Sequence, residues 1–559
     1  CDVPLPGSAD NCIYGVTASI VITPIEGAPT GSSGDAVEFD YQLAQIPLEL
    51  PVGPEPNVLL VNDDSGSMAW DTLTDQESGL YYFSTGNSIY YTLKATAGGS
   101  TSVAPSEEAA PNVGLWRLRN SAYNRIYYNP ENQYLPWDGL DTSDNEFPDS
   151  NPTNARHHPL FGSAKTNLTI PQSFTGRAVV SQTTCELQCV SYSWSGCQAF
   201  ETVCGTTSGF QNVSVTNYYI PRYYTWDDKN GDGLLDDVPS PANDPANSEG
   251  TLVEIKPASA GGSDLYPKTA DRTDCTTNED SCTYAEELQN FANWFTYARS
   301  REFTAKSALG KVVSAAENIR IGYAKLNSNS GLKKIVSMNT SERTGAKADL
   351  LDAIYQTNSN GGTPLRRSLR DAGRYYECRK NDIFNSSSNS SPGSANCPVL
   401  PSPEGNCQQN FTLLITDGTW NGGGPNVGDT DDDGNTNFDG GAFAGSTNNT
   451  LADVAMHYYE RDLHSLSNEV PTTARDRAGA LPTAFVGGSN EIMHQHMSTY
   501  TVGFGVSGLI DSDPTDFSAS FTWGNPSSSS ERKIDDLRHA AYNGRGEYLD
   551  AASAKELSN

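Results

Sequence analysis

The chain has 559 residues, with 36 Lys and Arg against 68 Asp and Glu, and its formal net charge is −32 at pH 7. This acidic balance argues against nucleic acid as a partner, because a polyanion would be repelled. No apolar run reaches the roughly 18 residues that a membrane-spanning helix needs, so no membrane span is expected.

The 11 cysteines fall in close clusters within Ser-, Thr- and Asn-rich segments, as disulfides of exported proteins do. Pairing within residues 185–204 and within residues 378–407 stays open. A zinc site in the first of these clusters is the alternative, but its irregular spacing favours disulfides. A disulfide at Cys1 is favoured over lipidation of that residue. The spacing predicts two short pairs, Cys1–Cys12 and Cys275–Cys282.

Residues 1–50 alternate weakly between apolar and polar side chains, which predicts an N-terminal β segment of one or two strands. Residues 51–68 follow, and within them NVLLVNDDSGSM (57–68) opens with an apolar run suited to a strand buried on both faces. The strand ends in a D-x-S-x-S turn of hard oxygen ligands for Mg²⁺ or a similar ion, Asp63, Ser65 and Ser67.

Residues 69–283 show no clear helical periodicity and are rich in Tyr, Ser, Thr, Asn, Gly and Cys. A segment of this length is far beyond an ordinary loop, and its frequent aromatic residues argue against disorder. We therefore interpret it as an inserted β subdomain, rich in loops and cysteines, that follows the first strand.

Residues 284–559 alternate between helical and strand-like patterns. The first is a long helix from Thr283 to Val312, and a later helix has Thr363 at its N-cap and Pro364 at its first position. A second buried strand, FTLLIT, ends at Asp417 and precedes an acidic insertion at 421–449. The alternation predicts an α/β fold with a doubly wound, Rossmann-like sheet.

In such a sheet, the turns at the carboxyl ends of neighbouring strands meet at the point where the strand order reverses. The turns that carry Asp63, Ser65 and Ser67, then Thr363 in GGTP, then Asp417 in TDG would all lie there. Each residue alone fits a turn or a helix cap. Together they predict a five-oxygen cation site.

The pattern DDSGSM…GGTP…TDG resembles the metal-ion-dependent adhesion site of von Willebrand factor A domains. The likeness extends, from about residue 41 to the end, to the amino-terminal half of PilY-type type IV pilus biogenesis factors and tip adhesins. Among the segments that carry it are SAYNRIYYNPENQYLPWDG (121–139), FANWFTYARSREFTAKSALGKVV (291–313), CQQNFTLLITDGTWNG (407–422) and KIDDLRHAAYNGRGEYLDA (533–551).

The resemblance implies that Ser65, Ser67 and Thr363 coordinate Mg²⁺ or Mn²⁺, and that Asp63 and Asp417 act directly or through water. One coordination position would stay open for an acidic side chain of a partner. It also implies an extracellular, cell-surface location at the pilus tip. No nucleophile–base pair accompanies the site, so no enzymatic activity is expected.

Two acidic loops are predicted to bind Ca²⁺, because their oxygen ligands lie at alternate positions, as in an EF-hand loop. Neither loop has the closing Glu: Pro239 and Gly440 stand there. The first loop offers Asp228, Asn230, Asp232, the Leu234 carbonyl and Asp236. The second offers Asp429, Asp431, Asp433, the Asn435 carbonyl and Asn437.

Two functions are compatible with these features. The first is a pilus-tip adhesin and biogenesis factor that binds a surface or host ligand with an acidic group through the cation. The second is a structural factor that primes and caps the pilus by docking on minor pilins, with the metals only stabilising loops.

Overall fold

The computed structural model describes residues 53–74, 81–82, 89–90, 115–193, 196–229, 231, 233, 249–436, 438–473, 476 and 492–551. For residues 81–82, 89–90, 115 and 176–213 it describes the backbone alone. The predicted N-terminal β segment, the Cys1–Cys12 pair and the final residues 552–559 lie outside this part of the chain.

Six strands form one central sheet in the order β3-β2-β1-β4-β5-β6 within the described residues. Neighbouring strands are parallel, except that β3 is antiparallel to β2. The order reverses between β1 and β4, so the carboxyl ends of these two strands form the switch point. The strands are β1 (Asn57–Asn62), β2 (Arg320–Lys325), β3 (Lys333–Ser337), β4 (Asn410–Thr416), β5 (Ser498–Phe504) and β6 (Arg545–Ala551).

Strand β1 is apolar because helices cover both of its faces. Leu59 and Val61 pack into one cluster of buried side chains, whereas Leu60 packs into another on the opposite face. This alternation follows from the two-residue period of a strand. All three side chains are buried, which stabilises the fold by about 1.5–3 kcal/mol for each.

Helices α4, α5 and α6 contribute to the cluster on one face of the sheet, and α2 and α3 contribute to the other. The predicted doubly wound α/β architecture is therefore confirmed for this part of the chain. The helices are α1 (Tyr284–Tyr297), α2 (Arg301–Ala315), α3 (Ala346–Tyr355), α4 (Leu365–Tyr376), α5 (Leu451–Tyr459) and α6 (Ser530–Asn543). No helix in the described ranges is long and apolar enough to cross a membrane.

The prediction of a single long helix from Thr283 to Val312 is wrong, because the helix is interrupted between α1 and α2. Ser300 is extended and caps α2 by accepting a hydrogen bond from the Phe303 amide. Periodicity alone could not show the break, since both helices place apolar residues at helical spacing. The break leaves Arg301 as the first residue of α2.

The described part of the predicted insertion contains two-stranded antiparallel ladders, loops and short 3-10 helices. The longest ladder pairs Gln172–Ser193 with Gly196–Tyr218, and its register places Cys185 opposite Cys204. Tyr127, Tyr128 and Trp294 of α1 are buried in one shared core. The other described strands of this region are Tyr81–Tyr82, Ile89–Tyr90, Ala155–Arg156, Lys165–Thr166, Arg222–Trp226, Gly250–Glu254, Leu265–Pro267 and Ser281–Thr283. Outside it, Val470–Pro471 pairs with Ile492–Met493.

Two disulfides have both of their cysteines within the described residues. The predicted Cys275–Cys282 pair is confirmed. In the 378–407 cluster, where the sequence left the pairing open, Cys378 is disulfide-bonded to Cys397. Cys407 is also disulfide-bonded.

Candidate metal centre

In the turn after β1, the hydroxyl groups of Ser65 and Ser67 face each other. The Ser65 amide donates to Asp63 Oδ1 at 2.7 Å, which closes the turn on the first carboxylate. Ser65 Oγ and Ser67 Oγ then lie 3.0 Å apart. Asp63 and Ser65 are buried, whereas Gly66 is exposed, so the turn lies at the surface edge of a buried strand.

Strand β4 brings the last carboxylate of the predicted set to the same edge, because β4 is the parallel neighbour of β1. Ser67 Oγ donates a hydrogen bond to Asp417 Oδ1 at 2.8 Å. The preceding residue, Thr416, donates from its hydroxyl to Asp63 Oδ2 at 2.6 Å. Residues far apart in sequence therefore form one hydrogen-bonded group at the switch point.

The GGTP loop is held against the same turn by the backbone. The Asn360 amide donates to the Asp64 carbonyl at 2.6 Å, and the Gly66 amide donates to the Gly361 carbonyl at 3.1 Å. Thr363 is buried, and its backbone exchanges hydrogen bonds with Asn421: its amide with the Asn421 side chain, and its carbonyl with the Asn421 amide. All three predicted turns thus meet.

The prediction that Thr363 caps α4 is wrong. The helix begins at Leu365 with Pro364 at the N-cap, and no side chain caps it. The reason is that the Thr363 backbone is tied to the loop after β4 instead. The Thr363 hydroxyl is therefore not used as a helix cap.

The donor set and its electrostatics fit a hard divalent cation. Burial, together with the nearby Asp417 carboxylate, raises the pKa of Asp63 to about 7, although hydrogen bonds from Thr416 and Ser65 oppose the rise. The two buried carboxylates repel each other, and a bound cation would relieve that repulsion in addition to the Arg301 guanidinium, which already pairs with Asp417. Hydroxyl and carboxylate oxygens are the ligands that Mg²⁺ prefers. Such a cation would be held by Asp63, Ser65, Ser67, Thr363 and Asp417.

A guanidinium next to the group is a feature that the sequence analysis missed. Arg301 donates to Asp417 Oδ2 at 2.7 Å, and both side chains are 0% exposed. Its Nε also donates to the Thr72 carbonyl at 2.8 Å, and the guanidinium lies 5.0 Å from the centre of the Trp70 ring. No local signal marks this residue, because its partner follows a different strand.

Thr416 and Asn421 were also missed as supporting residues. Thr416 directly precedes Asp417 and could have been recognised as the last residue of a buried strand beside the turn. Asn421 follows only a few residues later, but nothing in the sequence shows that it binds the Thr363 backbone. Asp64 has a separate role, since its carboxylate accepts two hydrogen bonds from Asn327.

Of the five predicted ligands in the first calcium loop, only Asp228 lies within the described residues. Its two carboxylate oxygens accept hydrogen bonds from the Gly231 amide at 2.7 Å and the Gly233 amide at 2.9 Å. The structure therefore describes a tight turn around this carboxylate. The other four predicted ligands, Asn230, Asp232, Leu234 and Asp236, are outside the described part of the chain, and calcium there stays a prediction.

The second predicted calcium loop is divided. Asp429 and Asp431 are grouped with Asp453 of α5, with one carboxylate oxygen from each residue within 4.8 Å of the others. Asp433 and Asn435 are exposed and are not part of this group. Burial, together with the charge of Asp453, raises the pKa of Asp431 to about 8. Asn437 lies outside the described residues.

Comparisons with known proteins bear on the resemblance. No protein-family model matches the chain. The type IV pilus biogenesis factor PilY1 of Pseudomonas aeruginosa strain PAK is 30% identical over 302 residues, which cover 49% of this chain and 25% of that protein. PilY1 of strain UCBPP-PA14 is 26% identical over 555 residues, covering 92% of this chain and 38% of that protein. The resemblance to PilY-type factors is thereby confirmed, and the chain spans well under half the length of these relatives.

Two solved pilus proteins also show limited similarity. The pilus adhesin SpaC from Lactobacillus rhamnosus GG matches with a TM-score of 0.20 and 11% identity, over 46% of this chain and 26% of that chain. The vWF domain of the type V pili tip protein Mfa5 from Porphyromonas gingivalis matches with a TM-score of 0.19 and 12% identity, over 46% of this chain and 84% of that chain.

Proposed function

We propose that the chain is a surface-located, type IV pilus-associated adhesin and biogenesis factor, and that its α/β domain binds ligands through a divalent cation. The curated relatives named as pilus biogenesis factors support the pilus association. The strand order 3-2-1-4-5-6 is that of the doubly wound sheet expected of a von Willebrand factor A type of domain and supports this part of the proposal. An acidic group of a surface or host molecule would be the ligand.

One observation carries the metal-dependent part of this proposal. Three chain segments meet at the switch point, where Ser67 Oγ bridges the β1 turn to Asp417 at 2.8 Å and backbone hydrogen bonds hold the Thr363 loop alongside. Neutral hydroxyl ligands would leave a bound Mg²⁺ or Mn²⁺ able to accept an external carboxylate. Gly66 at the exposed edge of the turn gives such a ligand access.

The proposed role is binding and not catalysis. The charged groups at the site already have structural partners: Asp63 accepts from Thr416, and Asp417 accepts from Ser67 and Arg301. No nucleophile–base pair is expected at the site from the sequence, so the proposal assigns it no chemical step.

Metal titration tests the site directly. Isothermal titration of Mg²⁺ and Mn²⁺ into the wild type and Asp63→Ala should show binding in the first and at least about a tenfold loss in the second. Asp352→Ala is a matched control, because Asp352 is an exposed carboxylate on α3. Equal metal affinity in the wild type and Asp63→Ala would contradict the proposal.

The second candidate is a structural factor that primes and caps the pilus on minor pilins, and the word "biogenesis" in the names of the relatives favours it. Bacteria carrying Ser65→Ala and Ser67→Ala together would distinguish the two roles. Normal pilus numbers with lost adhesion indicate the adhesin. Lost pili indicate the structural factor.

Calcium binding remains part of the proposal at both acidic loops. For the second loop, the proposed ligands now include Asp453 beside Asp429 and Asp431, because these are the carboxylates that lie together. Carboxylate oxygens from two chain segments suit the larger and more flexible coordination of Ca²⁺. The Asp228 turn is the corresponding proposal for the first loop.

A further inference from the structure

A buried positive charge lies directly behind the candidate metal centre. Arg301 is 0% exposed and donates to Asp417 Oδ2 at 2.7 Å, while the other oxygen, Oδ1, accepts from Ser67. Asp417 therefore faces the site with Oδ1, because its other oxygen, Oδ2, is paired with Arg301. A fixed cation next to a cation site is unexpected, since it opposes metal binding by simple repulsion.

The position of Arg301 is strongly determined by its surroundings. Its backbone amide donates to the Trp70 carbonyl at 3.0 Å, and its Nε donates to the Thr72 carbonyl at 2.8 Å. These carbonyls belong to the chain that leaves the β1 turn. The backbone contact fixes where the side chain starts, and the guanidinium cannot leave Asp417 without also losing its bond to Thr72, so its charge is held at the site.

The charges have a simple consequence. Asp63, Asp417 and Arg301 together carry one negative charge in excess when all three are ionised, and a divalent cation reverses this to one positive charge in excess. Without Arg301 the loaded group would be neutral. Attraction for an external carboxylate depends on that excess charge, because the centre is partly shielded from water.

We propose that Arg301 is a specificity-determining residue that weakens metal binding and strengthens the binding of a carboxylate ligand to the metal-loaded centre. The inference rests on the proposed metal-dependent function. It predicts that removing the charge moves the two affinities in opposite directions. A residue with a merely structural role would weaken both affinities when it is replaced.

The test uses the whole chain with two probes, Mn²⁺ and sodium acetate. Free Mn²⁺ is measured by electron paramagnetic resonance. Acetate binding to the Mn²⁺-loaded protein is measured by water-proton relaxation, with sodium chloride at matched ionic strength as the reference. Arg301→Gln removes the charge but keeps hydrogen-bond donors, and Arg301→Lys keeps the charge.

In Arg301→Gln we expect Mn²⁺ to bind about tenfold more tightly and acetate about tenfold more weakly, as expected for one charge at short range in a partly buried site. Arg301→Lys should stay within about threefold of the wild type for both probes. Arg272→Gln is the matched control, because Arg272 forms a buried ion pair with Glu287 outside the site. It should change neither affinity.

Asp417→Asn supplies a second test that does not depend on the folding of Arg301→Gln. It removes a negative charge from the same pair, so Mn²⁺ should bind more weakly and acetate more tightly to the loaded protein. A parallel loss of both affinities in Arg301→Gln, or weaker or unchanged acetate binding in Asp417→Asn, would overturn the inference and leave the metal site standing. Absence of Mn²⁺ binding by the wild type would overturn the proposed function as well.

Discussion

The buried ion pair between Arg301 and Asp417 leads to a stability prediction for the metal-free protein. Both side chains are 0% exposed, so replacing either one leaves the other as an uncompensated buried charge. Breaking such a pair typically costs about 3–5 kcal/mol. Arg301 keeps the Thr72 carbonyl as a partner, which places Asp417→Ala near the lower end, at about 3 kcal/mol.

The double variant Arg301→Met with Asp417→Ala should be less destabilised than the sum of the two single variants. Neither charge is then left alone, so the two effects are coupled, and we expect a difference of about 2–3 kcal/mol. Native-state hydrogen exchange of peptides from β1 and β4, measured in EDTA, gives the free energy of opening for this domain alone.

The control is a second buried pair, Arg272 and Glu287, in the core that the described part of the insertion shares with α1. Arg272→Met should leave the protection of β1 and β4 unchanged. Additive effects in the Arg301 and Asp417 variants would show that the two charges do not stabilise each other. That result would also remove the electrostatic basis for a special role of Arg301.

Three further predictions concern other parts of the domain. Burial lowers the pKa of His158 to about 2 from the ordinary value of 6.5, so the unfolded chain binds more protons below pH 6.5 and stability falls as the pH is lowered. In urea unfolding between pH 6.5 and 4, the unfolding free energy of His158→Asn should therefore change less with pH than that of the wild type, by up to about 1.4 kcal/mol per pH unit. Identical slopes of the unfolding free energy against pH in the two proteins would refute this. In terbium or calcium titrations, Asp453→Asn should lower the affinity of the second acidic loop about tenfold or more, whereas Asp433→Asn should lower it little. The reason is that Asp453, and not Asp433, lies with Asp429 and Asp431. A larger loss in Asp433→Asn than in Asp453→Asn would favour the EF-hand pattern. Gly373→Ala should destabilise the α4–α5 contact by about 1–3 kcal/mol in thermal unfolding, since the added Cβ would lie 2.3 Å from the Tyr458 ring; an unchanged melting temperature would show that the two helices separate easily.

The central elements of the fold could be predicted from the sequence because their signals are local. The apolar run of β1 and the amphipathic pattern of α4 depend on burial, and burial is visible as periodicity. The doubly wound architecture also followed, since parallel strands joined by helices form such a sheet, but the strand order did not. The break between α1 and α2 was missed because a cap such as Ser300 interrupts a helix without changing its apolar spacing.

The identities of the candidate ligands were likewise predictable. Asp63, Ser65 and Ser67 follow a recognisable buried strand, and Asp417 follows another. Their approach was expected from topology alone, and the hydrogen bond from Ser67 to Asp417 agrees with it.

Only the tertiary structure decided which residues surround these ligands. The sequence determined the strand ends and the residue types at the site, because both are written in short segments. It did not determine that Arg301 would pair with Asp417, or that Asp453 would join Asp429 and Asp431, because those contacts depend on how separate elements pack. The physical reason is that charge partners are selected by distance in space, and sequence patterns record only the neighbours along the chain.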